Sequence, residues 1–171
     1  MSLTSYILDS ALVLIVLLQI REKALSTRTL LLPLAIVGVA VSNYFTTLPT
    51  AGNDLVLIAA TGLFGLLIGT ASGGASIMRL RPTDGAVTVR AGWLAGFLWV
   101  LGMGLRFAFA VWVSHSGAAT IGRFSAAHAI TGGAAWTDAL LLMALAEVAG
   151  RTAVLAARRQ RVLNGAPALA A

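Results

Sequence analysis

The stretch "TGLFGLLIGTASGGAS", residues 61–76, repeats glycine at every fourth position, with Gly65, Gly69 and Gly73 on one line and Gly62, Ser72 and Ser76 close beside it. Four-residue spacing keeps such residues on one face of an α-helix. Small residues let two helix backbones touch, which is how helices associate where lipid supplies no hydrophobic drive. The stripe therefore predicts a central helix over residues 55–78. Its small face packs either within the chain or, through Gly65, Gly69 and Gly73, against a second copy or a partner membrane protein.

The rest of the chain is of the same kind. Of its 171 residues, 58% are hydrophobic and 11% charged, and the mean hydropathy of +0.91 lies far above that of a soluble domain. A membrane-crossing helix needs roughly 20 mainly apolar residues. Four further runs meet that length, at 4–20, 29–48, 92–114 and 129–155. The opening, MSLTSYILDS, has no basic residue ahead of its apolar run and reads as a retained span, not a signal peptide. The expected architecture is an all-α, polytopic bundle of five transmembrane helices. It forms a single domain over residues 1–160, followed by a short cytoplasmic tail at 161–171.

Charge sets the expected orientation. Lys and Arg in the six segments outside the spans number 0, 3, 0, 3, 1 and 3 in chain order. Basic segments stay cytoplasmic, which puts the amino terminus outside and the carboxyl terminus inside. The formal charge of +6 does not imply a nucleic-acid partner, because the basic residues are dispersed between apolar runs. Pro82 to Gly85 reads as a cytoplasmic turn, and Ser116 with Gly117 as the start of an outer loop. Trp93 and Trp112 stand where interface anchors are expected, while Trp99 and Trp136 lie deeper and are expected to fill the core.

Four polar residues from four of the expected spans fall in one outer-half layer. Counted at 1.5 Å per residue, Asp9 and Asn43 lie ~8 Å below the outer surface, Arg106 ~12 Å and Asp138 ~14 Å. A charge at that depth costs at least ~2.5 kcal/mol and normally meets a partner inside the bundle. The expectation is a polar layer in the outer half, with the Arg106 guanidinium between the carboxylates of Asp9 and Asp138. Such a layer either fixes helix positions or forms a site for a small solute, cation or proton. Glu147 lies nine residues beyond Asp138, on the opposite face of its helix, and one turn from Arg151. It is expected to pair there or to reach headgroups.

Other chemistry has less support. The chain has no cysteine, which excludes disulfide and thiolate chemistry. His115 and His128 flank the expected outer loop, and as haem or metal ligands they would make a membrane redox protein with haem as cofactor. Their spacing matches no metal signature, and no metal site is expected. SGGAS at 72–76 resembles a protease serine motif only superficially, since both histidines lie at the other end. No Lys occurs within a span to carry retinal, and no phosphate-cradling GxxxxGK occurs. The sequence reads more readily as a non-enzymatic membrane protein than as an enzyme.

Residues 79–112, "RLRPTDGAVTVRAGWLAGFLWVLGMGLRFAFAVW", together with "DALLLMALAEVAGRTAVLAARR" near the end, resemble the CcdC-like family of small bacterial integral membrane proteins. Asp84, Gly85, Arg90, Trp99, Arg106 and Arg151 carry the resemblance. It implies a multi-pass protein of the bacterial cytoplasmic membrane and brings no activity or catalytic residue with it.

Overall fold

The computed structural model describes residues 23–26, 31–33, 35, 38, 39, 51–81 and 85–165. The first expected span, most of the second, Asp9, Asn43, Asp84 and the end of the tail lie outside the described residues. In chain order the elements are β1 (Lys23–Ala24), α1 (Asp54–Ala75), β2 (Ile77–Leu80), β3 (Val87–Arg90) and α2 (Trp93–Trp112). A π-helical turn (Val113–Gly117), α3 (Ala118–Ala127) and α4 (Gly133–Gly165) follow. The described residues between 31 and 39 are also helical.

The fold is mostly helical. Among the described residues, three helices are long and apolar enough to cross a membrane: Asp54–Ala75, the continuous run Trp93–Ala127, and Gly133–Gly165. Two features depart from the all-α, five-helix expectation. The end of the expected third span at 77–78 and the basic loop expected after it supply a hairpin, β2 with β3, that pairs with β1 in an antiparallel sheet of order β1-β3-β2. The alternating, β-branched run Val87, Thr88, Val89 and a tight turn explain this. Within that turn Arg81 and Gly85 bond backbone to backbone, and Gly85 sits at φ +65°, where glycine carries no steric penalty. Val87, Met78 and Val89 turn inward, so that Met78 and Val89 cover the apolar pair Leu25 and Leu155.

The second departure is the expected outer loop, which is helix throughout. Gly117 misled because its lack of a side chain serves packing, not a turn. A Cβ there would lie 2.6 Å from the Trp112 ring, five residues back, the pairing that a π-helical turn creates. Alanine-rich α3 then continues the helix as far as His128.

The core seam joins α1 to α4, which runs parallel to it, as the rising pairs Thr61 with Ala139, Gly65 with Met143 and Gly69 with Glu147 require. A Cβ on Gly65 would fall 2.1 Å from the Met143 carbonyl oxygen, and one on Gly69 would fall 2.0 Å from that of Glu147. Gly150 returns the arrangement from α4, meeting Leu66 at 2.9 Å. The glycine stripe is thus covered by the chain's own fourth helix. Gly65, Gly69 and Gly73 are buried there, the intramolecular one of the two alternatives that the stripe offered.

Both ends of the seam are tied. At one end the fully buried Asp54 carboxylate accepts from the Thr131 backbone N–H at 2.8 Å and from the Thr131 hydroxyl, while the Asn53 N–H donates to the Ala129 carbonyl at 2.9 Å. At the other, Arg158 donates to the carbonyls of Gly73, Gly74 and Ser76 at 2.7 to 2.9 Å. Those carbonyls lie at the carboxyl end of α1, where the regular helical bonds run out, and a cation beside them also complements the helix dipole.

Candidate functional site

α2 approaches α4 differently. Trp99, Met103 and Arg106 follow one another at four- and three-residue spacing along α2. Ala144, Glu147, Val148, Arg151, Thr152 and Leu155 make a continuous stripe on α4. With Pro33 from the helical segment before α1, these residues line a partly open cavity of about 430 Å³.

Arg106 donates from Nη1 to Glu147 Oε2 at 2.7 Å. Three local features bring them together. Helical side chains lean toward the amino terminus of their own helix, so Arg106 on α2 and Glu147 on the antiparallel α4 lean toward each other. Gly102, one turn before Arg106, leaves room for the carboxylate: a Cβ there would lie 2.6 Å from Oε2 and 2.8 Å from Oε1. Counted along the axes, Arg106 stands ~20 Å from the start of α2 and Glu147 ~16 Å from Arg158, a difference the Arg106 side chain spans. Below them, Arg151 donates to the Ser72 hydroxyl, which itself donates to the Ala95 carbonyl at 3.2 Å. Three helices therefore meet in one polar chain.

The carboxylate and the guanidinium differ in exposure. The Glu147 side chain is 5% exposed and that of Arg106 is 19%. Glu147 Oε1 is buried against Gly102, with no hydrogen-bond partner among the described residues. An acceptor left in this state is costly, of the order of 1–3 kcal/mol.

The residues expected to form a polar layer are placed as follows. Asp9 and Asn43 lie outside the described residues. Asp138 is half-buried on α4, nine residues from Glu147, hence ~13 Å along the axis and on the opposite face. Arg106 is therefore bonded to Glu147 and not shared with Asp138. The expected pairing with Asp9 lies outside the described residues, and Asp138, though counted to a similar depth below the outer end, sits on the face of α4 opposite Glu147. Glu147 remains far from that end, as its position in the chain requires; it is Arg106 that reaches down to it. A signal for this was present in the sequence: a glycine one turn before Arg106, and an acid and a base one turn apart on α4.

His115 and His128 are not brought together. Thirteen residues of helix separate them, ~20 Å along the axis, and both are exposed. Each has its Nδ1 against the carbonyl one turn back, of Val111 and Phe124 respectively, at 2.9 Å. No group of three or more His, Asp or Glu residues suited to a metal occurs among the described residues. Trp136 does fill the interior, stacking on Phe109 at 5.3 Å and donating to Ser125 Oγ at 3.0 Å, so that it joins α2, α3 and α4.

No protein-family model, curated protein or solved structure matches the chain.

Proposed function

We propose that the chain is a small multi-pass protein of the bacterial cytoplasmic membrane that binds or passes a small polar solute in the cavity between α2 and α4. The observation that carries this reading is the cavity itself, with Arg106, Glu147 and Arg151 together in its wall midway along helices of membrane-spanning length. Ionisable groups in such a place are expensive, and where they line a space they mark a pathway or a ligand site. Polar groups that merely locked the helices would be packed without a cavity beside them.

The orientation follows from the sheet end, where Arg79, Arg81, Arg90 and Arg158 gather, against Arg123 at the other end. This end is assigned to the cytoplasm. The resemblance of residues 79–112 to CcdC-like proteins points to the same membrane.

Cysteine labelling tests the proposal, since the native chain has no cysteine to remove. In the full-length protein in membranes, Val148→Cys, on the cavity wall, is expected to react with a small water-soluble thiol reagent. Phe107→Cys, at a side chain 72% exposed on the outside of α2, is expected to resist it in the bilayer. Equal protection of both positions would show a dry cavity and remove the support for a solute site.

A further inference from the structure

The accessible charge in the cavity is not balanced. Glu147 is withdrawn from it: Oε2 is held by Arg106, and Oε1 is sealed against the backbone of Gly102. Its negative charge answers that of Arg106. Arg151 lies within electrostatic reach of that same carboxylate but has none of its own, and the group that it hydrogen-bonds among the described residues, Ser72, is a neutral hydroxyl. The wall formed by the described residues therefore carries one net positive charge, presented by guanidinium groups and not by carboxylate oxygens. In a low-dielectric setting an unmatched cation strongly favours an anion beside it.

Size and lining narrow the choice. A cavity of about 430 Å³ lies within the range of small-molecule sites, roughly 300–1,000 Å³, and far exceeds a halide ion. Trp99, Met103, Val148 and Leu155 offer apolar surface to the body of a ligand. A doubly charged phosphate would leave a net negative charge in place of the positive one. A single carboxylate neutralises the wall and fits the planar fork of a guanidinium through paired hydrogen bonds.

We infer that the solute is a small organic monocarboxylate, its carboxylate on Arg151 and its apolar body against Trp99 and Met103. This rests on the reading of the cavity as a solute site, and it specifies the chemical class.

Three probes of one shape separate the possibilities: benzoate, benzyl alcohol and benzylamine, an anion, a neutral molecule and a cation. Binding to the purified full-length protein in nanodiscs is followed by ligand-observed NMR, with empty nanodiscs subtracted. Benzoate is expected to bind, and the other two to bind at least about tenfold more weakly, the loss of one charge-assisted hydrogen bond. Arg151→Gln should weaken benzoate by a similar factor, and Arg151→Lys, which keeps the charge, by less. If Arg151→Gln does not fold, the ranking of the three probes on the native protein decides. Preferred binding of benzylamine or benzyl alcohol overturns the carboxylate assignment and leaves a solute site. Failure of all three to bind overturns both.

Discussion

The two seams of α4 face in different directions and are built on different principles. Against α1 it packs backbone to backbone, with glycines so close that a methyl group on Gly65 or Gly69 would overlap a carbonyl oxygen. Against α2 it leaves a cavity and spans it with one ion pair. The first seam derives its stability from dispersion over many close atoms, which falls away steeply with separation. The second relies on a few polar groups whose geometry tolerates space between the helices. A helix pair that cannot separate, beside a third helix held more loosely, is a fit arrangement for a solute site: the rigid pair holds Glu147 and Arg151, and the looser contact leaves volume.

Substitutions can break that contrast, and the largest effect is expected in the tight seam. Gly69→Val puts branched carbon where the Glu147 carbonyl stands 2.0 Å from an ideal Cβ. Backbone must move, at a cost at or above the 1–3 kcal/mol usual for overpacking. The expected outcome is loss of monodisperse protein on size exclusion. A Gly69→Val protein that behaves as the native one would show that the helices are not in backbone contact.

Next comes the ion pair. Glu147→Gln leaves the Arg106 cation without its counter-charge, and breaking one side of a buried pair typically costs about 3–5 kcal/mol. The double change Arg106→Leu with Glu147→Leu removes both charges and should recover most of the loss in thermal unfolding. If Glu147→Gln alone leaves the melting temperature unmoved, the pair contributes nothing to the second seam.

A smaller change is expected at the tied end of the tight seam. Asp54→Asn replaces one of two acceptor oxygens facing Thr131 with a donor, and about 1–3 kcal/mol follows from a buried hydrogen bond lost. Hydrogen exchange should then accelerate around residues 129–133 before it does along the seam. Uniform acceleration along α4 would mean that this end does not act as a separate clamp.

The smallest effect belongs to His115 and His128. Both are exposed, so replacing the pair with Ala should change stability by no more than about 0.5 kcal/mol.

Sequence and structure agree where the signal is local. Residues 55–78 read as a close-packed helix because apolar character and four-residue glycine spacing are both properties of a single helix, and α1 covers Asp54–Ala75. The limits of α2 and α4 were less legible. Gly117 was read as a turn because a glycine that relieves a loop and one that admits a tryptophan ring look alike until Trp112 is placed. The hairpin at 77–90 was hidden for a related reason: Arg79, Arg81 and Arg90 mark an end of the bundle, and charge says nothing of whether the backbone between them pairs.

What the chain's composition and periodicity determined was that its long segments would be apolar helices with basic residues gathered toward one end, and that a helix around Gly65, Gly69 and Gly73 would touch a neighbour closely. Which neighbour it touches, and that Arg106 meets Glu147 and not an aspartate, only the tertiary structure decided. Helical repeats assign a residue to a face of its own helix. The partner of a buried charge depends on the relative height of two helices and on the lean of their side chains, and those are set by packing between segments far apart in the chain.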